Sequence, residues 1–385
     1  MAGSDRPRVR TDARAWVEVD LDAIAGNFRA ISALLPRGCE LMVVLKADAY
    51  GHGMVPVARA LERAGCASAC VATAAEALEL REGGFKGGVL VLGWTPSELV
   101  TALVAADVAQ AVVDLGHARS LSSAAPGAGV RLRAHLAVDT GMHRLGVPWD
   151  EADALDAALG MEGLRVEGVF SHLATADGSA RGDLDSVGVQ LARFLSAVGE
   201  ARARGARVCA HLAGSYATLL HPSTRLDAVR VGIALYGVAS SVSAPLPAGL
   251  GLRPALSLRA RVACVRHVPA GEGVGYGLLG ADRGGREVAT VAVGYADGVP
   301  RALSGRGAVL VRGRRCPVVG RVCMDQLMVD VTGAGPVSPG EVATLVGRDG
   351  GSRIGVEELA DAAGTISNEV LSRLGPRLGR VLAGG

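Results

Sequence analysis

The chain has 385 residues, 49% of them hydrophobic and 20% charged, which is typical of a folded protein with two domains or one large barrel and an appendage. Its 40 basic and 38 acidic side chains give a formal net charge of only +2, and 3% of residues are aromatic, so a nucleic-acid binder is not expected. The seven cysteines lack paired CxxC spacing, which indicates neither disulfides nor a metal site. Because the N-terminus has no apolar signal-type run and no apolar run reaches roughly 18 residues, we expect a cytoplasmic protein without a membrane segment.

Eight short apolar runs, mostly separated by amphipathic helical stretches, occupy the chain from residue 21 to about residue 237. They are LMVVL (41–45), SACVA (68–72), GVLVLG (88–93), QAVVD (110–114), RLRAHLAV (131–138), RVEGVFS (165–171), RVCAHLA (207–213) and AVRVG (228–232). This alternation predicts an α/β fold, a (β/α)8 TIM-type barrel over residues 21–250. A doubly wound open sheet is the alternative, although residues 46–49 are not the glycine-rich nucleotide turn that it usually carries.

The pattern changes after about residue 250 to alternation with a period of two. The runs LSLRARVACVRHV, EVATVAVGYADG, AVLVRGRRCPVVGRV and EVATLVGR are separated by glycine and proline turns. They predict a second, mainly antiparallel β domain over residues 251–385, which ends with one helical stretch. The early segment 14–20 is an additional strand candidate for this domain.

Lysine is rare in this chain, which has only Lys46 and Lys86. Lys46 directly follows the first predicted barrel strand, whereas Lys86 lies in the turn-like GGFKGG. Arginine cannot replace lysine where chemistry needs a neutral amine, because guanidinium stays protonated while a desolvated ammonium loses its proton more readily. Lys46 is therefore a candidate for covalent chemistry, with an ordinary lysine as the alternative.

Further polar residues follow other predicted strands, where the catalytic groups of such barrels gather. They are Tyr50, Arg144, His172, Ser215 and the stretch from Arg230 to Gly232. One amine, hydroxyls, backbone N–H groups and two arginines suit an anionic cofactor with an aldehyde, and pyridoxal 5'-phosphate fits best. Each residue also has an ordinary explanation, such as an interior histidine, a helix cap for Ser215 or a surface ion pair for Arg144. Their coincidence at one barrel face favours a site.

Several long motifs carry a specific resemblance. The segments VVLKADAYGHG, VDTGMHRLG, VRVGIALYG, GVGYG, VAVGYADG and GRVCMDQLMVDV closely resemble the alanine racemase family of fold-type III pyridoxal-phosphate enzymes, over nearly the whole chain. The resemblance implies a barrel followed by a β domain, in a homodimer whose active sites are completed by the partner's β domain.

The resemblance also implies residue roles. Lys46 is expected to hold the cofactor as an imine and then to act as one base, with the partner subunit's Tyr276 as the other base on the opposite face. The expected phosphate contacts are Tyr50, Ser215, Gly232 and Ile233. Arg144 and Met324 are expected at the substrate carboxylate. Arg230 is expected at the pyridine nitrogen, and His172 links it towards Tyr276.

Two positions depart from the family pattern. Many relatives carry a lysine two residues before the DTGM motif that orients the arginine corresponding to Arg144, and this chain has Ala137 there. His143, a bound anion or packing alone are alternative supports. Where alanine racemases usually have tyrosine, TISNEVLSRLG places Asn368, as in the serine-racemising branch of the family.

Asn368 leads to the expectation that serine is racemised as well as alanine, because a pocket that hydrogen-bonds a hydroxyl can favour it strongly. The alternative enzyme is a fold-type III decarboxylase, which usually needs a partner cysteine and phosphate motifs not seen here. A non-enzymatic cofactor carrier of the same fold is a third reading, although such chains typically end after the barrel.

Overall fold

The computed structural model describes residues 13–125, 130–178, 180–281 and 284–384, and its strands form two sheets. The strands are β1 (Ala15–Asp20), β2 (Glu40–Val44), β3 (Ser68–Val71), β4 (Gly88–Val91), β5 (Val108–Val112), β6 (Leu132–Asp139), β7 (Val147–Pro148), β8 (Leu164–Phe170), β9 (Cys209–His211), β10 (Ala228–Val231), β11 (Leu256–Val268), β12 (Arg286–Val291), β13 (Ala308–Val311), β14 (Arg314–Val319), β15 (Leu327–Asp330), β16 (Val342–Asp349), β17 (Ser352–Ile354) and β18 (Gly379–Ala383). The α-helices are α1 (Leu21–Ser32), α2 (Lys46–Gly51), α3 (Met54–Arg63), α4 (Ala74–Glu82), α5 (Val100–Ala105), α6 (Leu115–Ser123), α7 (Ala152–Leu159), α8 (Arg181–Ala203), α9 (Ser215–Leu220), α10 (Val356–Ala363) and α11 (Ser367–Ser372). None of these helices is both long and apolar enough to cross a membrane.

The first sheet is a closed barrel of eight parallel strands. Its order is β5-β4-β3-β2-β10-β9-β8-β6, and a further pairing of β5 with β6 closes the ring. Every predicted apolar run overlaps one of these strands. The predicted barrel is therefore confirmed, and the open-sheet alternative is wrong.

Helices cover the outside of this barrel because their apolar faces match the apolar strands. In α1 the buried positions recur at helical spacing, and the Asp20 side chain caps the helix by accepting from the Ala23 N–H at 2.7 Å. Helix α4 begins with a capping box between Thr73 and Glu76. These caps fix where each helix leaves the end of a strand.

The second sheet is mainly antiparallel and has the order β17-β16-β13-β14-β15-β12-β11-β1-β18. An additional pairing of β16 with β11 closes six of its strands into a ring. The N-terminal strand β1 lies in this sheet between β11, to which it is antiparallel, and β18, to which it is parallel. The structure thus has a barrel and a separate antiparallel unit, while the exact division at residues 250 and 251 stays a prediction.

Candidate active site

A cavity of about 600 Å³ opens at the carboxyl ends of the barrel strands. Its volume is in the range of small-molecule and cofactor sites. Nine of the residues singled out in the sequence line it. They are Lys46, Tyr50, Arg144, His172, Ser215, Arg230, Gly232, Ile233 and Asn368.

The lysine that follows β2 begins a turn of unusual handedness. Residues Ala47–Tyr50 have φ of 53° or 54° and ψ of 45° to 52°, so α2 is a left-handed helical turn built without glycine at these positions. Left-handed geometry costs an L-residue about 1–2 kcal/mol, so the surroundings must hold it. The Glu76 carboxylate accepts from the Ala47 N–H at 2.7 Å, and Arg380 of β18 donates to the Gly51 carbonyl at 3.1 Å.

The environment of Lys46 favours its neutral form. Burial lowers the pKa of its ammonium group, and the positive charge of Arg144 lowers it further, against a smaller opposing effect of Glu76. An amine with a lowered pKa is more often unprotonated, which is what a nucleophile or a base requires.

One end of the cavity combines hydroxyl groups with backbone N–H groups. Ser215 Oγ accepts from the Gly232 N–H at 3.0 Å and from the Ala234 N–H at 3.4 Å. A Cβ placed on Gly232 would lie 2.6 Å from the Tyr50 hydroxyl oxygen, so only glycine lets the backbone approach it this closely. Such a cradle suits a phosphate group.

A buried arginine crosses the floor of the cavity. Arg230 donates to His211 Nδ1 at 2.6 Å, to the Ser171 carbonyl at 2.6 Å and to His172 Nδ1 at 3.3 Å. Its guanidinium carbon lies 5.2 Å from the centre of the Phe170 ring. Because guanidinium only donates, both histidines must accept at Nδ1 and carry their hydrogen on Nε2.

This polar chain continues into the barrel through His135, whose Nδ1 lies 2.7 Å from His211 Nε2. Burial lowers the pKa of His172 to about 3 and that of His135 to about 4, so both rings are neutral at pH 7. A Cβ on Gly168 would lie 2.2 Å from His135 Nδ1, which explains the glycine. Sequence reasoning missed His135 and His211, although each lies in an Ala-His-Leu-Ala segment that interrupts an apolar strand.

The position of the missing family lysine is apolar. Ala137 is buried and packs with Ala111 and Phe170. His143 does not support Arg144, because its Nδ1 pairs with Asp139 at 2.9 Å. Within the described residues, no acceptor bonds to the Arg144 guanidinium, which faces the cavity. It therefore stays available to an anionic ligand.

Helix α11, in the C-terminal part of the chain, also contributes to the cavity. Asn368 lies in its first turn, and its Oδ1 is buried without a hydrogen-bond partner among the described residues. An unsatisfied buried acceptor costs about 1–3 kcal/mol, which a ligand with a donor would recover. Ile366 lines the cavity beside it.

Tyr276 and Met324 do not line the cavity of their own chain. Tyr276 is 71% exposed in a tight turn bounded by a bridge between Val274 and Leu279, and Met324 is 53% exposed. The Met324 loop is anchored to the Gly294 region, where the Ala296 N–H donates to the Met324 carbonyl at 3.0 Å. Both residues thus stand outside the single-chain site.

The cavity fits pyridoxal phosphate on its own donor set. It offers a single amine with a lowered pKa at Lys46, a hydroxyl and backbone cradle for a phosphate at Ser215 and Gly232, and a buried donor at Arg230. No group of three or more histidine, cysteine or acidic side chains in the described ranges is arranged to hold a metal ion.

Comparison with known proteins agrees with this geometry. Residues 19–240 match the alanine racemase N-terminal domain model, and residues 255–382 match the C-terminal domain model. The alanine racemase of Desulfosudis oleivorans is 42% identical over 386 residues, covering 97% of this chain and 98% of the relative. That of Desulfovibrio desulfuricans is 40% identical, covering 99% of each chain.

Solved structures give the same result. The crystal structure of alanine racemase from D-cycloserine-producing Streptomyces lavendulae superposes with a TM-score of 0.91 at 40% identity, covering 97% of this chain and 98% of that one. These matches favour a racemase over the decarboxylase and carrier alternatives. The chain therefore belongs to the alanine racemase family, whose members depend on pyridoxal phosphate.

Proposed function

We propose that this racemase interconverts the enantiomers of alanine and also those of serine, with Lys46 of one subunit and the partner subunit's Tyr276 as two bases. The observation that carries the proposal is the buried Lys46 amine with a lowered pKa, in a cavity that also holds the phosphate cradle and Arg230. Two bases on opposite faces let one proton leave and another arrive with little movement of the substrate.

In this proposal Tyr50, Ser215, Gly232 and Ile233 bind the phosphate, and Arg230 donates to the ring nitrogen. When bound, pyridoxal phosphate withdraws electrons from the substrate's α-carbon and makes its α-proton acidic enough to remove. Several acceptors hold Arg230 in place, so it can orient the ring. Unlike a carboxylate, an arginine does not favour protonation of the ring nitrogen.

The two bases are prepared by different groups. Burial and Arg144 keep Lys46 available as a proton acceptor. A tyrosine normally titrates near 10, so Tyr276 needs a donor or positive charge close to its oxygen. The Nε2–H of His172 is available for this, because His172 Nδ1 already accepts from Arg230.

The exposure of Tyr276 supports a homodimer as part of this proposal. Tyr276, Leu278 and Leu279 are 71%, 69% and 39% exposed in one turn, and Met324 is 53% exposed. Exposed apolar groups in one region are typical of an interaction surface. A second copy whose β domain covers the cavity would bring Tyr276 and Met324 to the substrate, where Arg144 and the Met324 backbone would bind its carboxylate.

The proposed reaction is tested by incubating the enzyme with pyridoxal phosphate and each amino acid in deuterium oxide. We expect deuterium at the α-carbon of both alanine and serine, with both enantiomers formed, as measured by NMR and chiral chromatography. Lysine, ornithine and diaminopimelate should release no carbon dioxide. A cofactor-bound protein that introduces no deuterium would contradict the proposal and favour a carrier.

In this proposal Asn368 selects serine, because its Oδ1, which has no hydrogen-bond partner among the described residues, can accept from the serine hydroxyl. We expect Asn368→Tyr to lower the serine-to-alanine ratio of kcat/KM by about tenfold or more, because the acceptor is lost and the pocket is filled. Asn368→Leu is the matched control for volume, since it removes the acceptor at similar size. An unchanged ratio in both variants would show that Asn368 does not select the substrate.

A further inference from the structure

A second histidine near Lys46 has no part in the mechanism above. His52 lies two residues after Tyr50 and is 0% exposed. Its Nδ1 is 3.0 Å from the Ala49 carbonyl oxygen and 2.9 Å from that of Tyr50. Because carbonyls only accept, Nδ1 carries the hydrogen and shares it between both oxygens. Burial lowers the pKa of His52 to about 4, so the ring is neutral at pH 7 and has one donor.

Those two carbonyls belong to the left-handed turn that follows Lys46. Such a turn of non-glycine residues persists only where neighbouring groups hold it. Elsewhere the turn is held by Glu76, which accepts from the Ala47 N–H, and by Arg380, which donates to the Gly51 carbonyl. The His52 Nδ1–H donates to the carbonyls of its C-terminal half, at Ala49 and Tyr50. The Ala49 carbonyl also accepts from the His52 backbone N–H at 3.2 Å, whereas the side chain supplies the bond to Tyr50.

The His52 ring is also linked through Tyr236 to strand β2, which precedes Lys46. The His52 ring stacks on Tyr236 with centroids 4.4 Å apart, and the Tyr236 hydroxyl donates to the Val44 carbonyl at 3.0 Å. Val44 is the last residue of β2. His52 therefore connects the chain on both sides of Lys46.

The position of the Tyr50 side chain depends on this arrangement. Its ring lies 5.1 Å from that of Tyr236, centre to centre, and its hydroxyl is close to the Gly232 backbone. If the turn relaxed towards ordinary backbone angles, the Tyr50 hydroxyl would leave the phosphate cradle. If the His52 ring only filled the core, the position of its Nδ1–H would not affect the turn.

We propose that His52 is a positioning residue, whose Nδ1 donor fixes the left-handed turn so that the Tyr50 hydroxyl stays in the phosphate cradle. The proposal rests on the proposed function, in which Tyr50 binds the cofactor's phosphate. It predicts that loss of the donor weakens binding of pyridoxal phosphate more than binding of pyridoxal, which lacks the phosphate.

Two amide substitutions form a matched pair for the test. In His52→Asn the side-chain nitrogen can occupy the place of Nδ1, whereas in His52→Gln it extends to the place of Nε2. Dissociation constants of the apoenzymes for pyridoxal phosphate and for pyridoxal are measured by absorbance titration. We expect His52→Asn to keep the wild-type preference for the phosphorylated form within about threefold, and His52→Gln to lose about tenfold or more of it.

The proposal would be overturned if both variants had the same preference for pyridoxal phosphate over pyridoxal. It would also be overturned if a variant lost affinity for both ligands by the same factor. Melting temperatures of the apoenzymes show whether each variant folds. If His52→Gln does not fold, His52→Leu provides the donor-free comparison, and failure of both to fold would also overturn it by making His52 a residue of the fold alone. Measurements on the wild type distinguish a failure of the proposed function from a failure of the His52 proposal. A wild type that neither binds the cofactor nor racemises alanine would contradict the proposed function.

Discussion

The reactivity of Lys46 depends on the burial of its amine and on the charges that surround it. Burial is the largest cause of its lowered pKa, and Arg144 is the next. Arg144 has no acceptor among the described residues, so its charge acts on Lys46 without local neutralisation.

We predict that Arg144→Gln raises the pKa of Lys46, because it removes a positive charge that disfavours the ammonium form. In apoenzyme carrying Lys86→Arg, the rate of Lys46 acetylation by acetic anhydride is followed against pH by mass spectrometry. The midpoint should move to higher pH. Arg131→Gln, at the opposite end of β6, is the matched control and should leave it in place. A midpoint unchanged by Arg144→Gln would mean that Arg144 does not act on the amine.

Buried neutral histidines also make stability depend on pH. The folded-state pKa is about 4 for His52 and His135, below the usual 6.5 of an unfolded chain. Between pH 6.5 and about 4 the unfolded state therefore binds more protons, so the free energy of unfolding falls as pH falls through this window.

In His52→Asn the free energy of unfolding should fall less steeply with pH. The slope should decrease by the contribution of one proton, which is about 1.4 kcal/mol per pH unit, because asparagine does not titrate. Urea unfolding of the variant and of the wild type between pH 4 and 8 measures the difference. Above pH 7 the two slopes should agree, since His52 is neutral in both folded and unfolded chains there. Parallel curves throughout the acid range would contradict the depressed pKa.

The left-handed turn Ala47–Tyr50 is the element that the sequence did not predict. Alanine and tyrosine have no preference for positive φ and a single aspartate does not specify such a turn, so the conformation depends on partners that include Glu76 and Arg380, which are distant in sequence. The apolar strands were predictable because barrel strands are buried on both faces. The pairing of β1 with β11 joins residues about 240 positions apart, and no local pattern specifies it.

A glycine in this turn should not destabilise the protein as glycine does elsewhere. We predict that Ala47→Gly leaves the free energy of unfolding unchanged or raises it by up to about 1 kcal/mol, because relief of left-handed strain offsets the entropy cost. Ala192→Gly, at an exposed position of the right-handed helix α8, should lower it by about 1 kcal/mol. Chemical denaturation measures both, and equal losses would contradict a left-handed turn in solution.

The site residues were predictable to the extent that they follow barrel strands. Eight of them lie at or after the ends of barrel strands and line one cavity, since the carboxyl ends of parallel strands meet at one face, whereas Asn368 reaches the cavity from α11. His135 and His211 act from within the strands, where a strand-end argument does not look. Tyr276 and Met324 lie outside the cavity, and only the resemblance to the family connected them with it.

The assembly of two chains is the central claim of the proposed mechanism, because a single chain brings only one of the two bases to its cavity. It is tested with heterodimers isolated by two different affinity tags. One pairs Lys46→Ala with Tyr276→Phe. The other pairs the wild type with a chain carrying both substitutions, so the two heterodimers have the same composition of altered residues.

If the partner subunit's Tyr276 completes each site, the first heterodimer contains one intact site and the second contains none. We predict about half of the wild-type alanine racemisation rate per dimer for the first heterodimer and almost none for the second. The reverse result, with the second heterodimer half active and the first inactive, would place both bases in one chain and contradict the account.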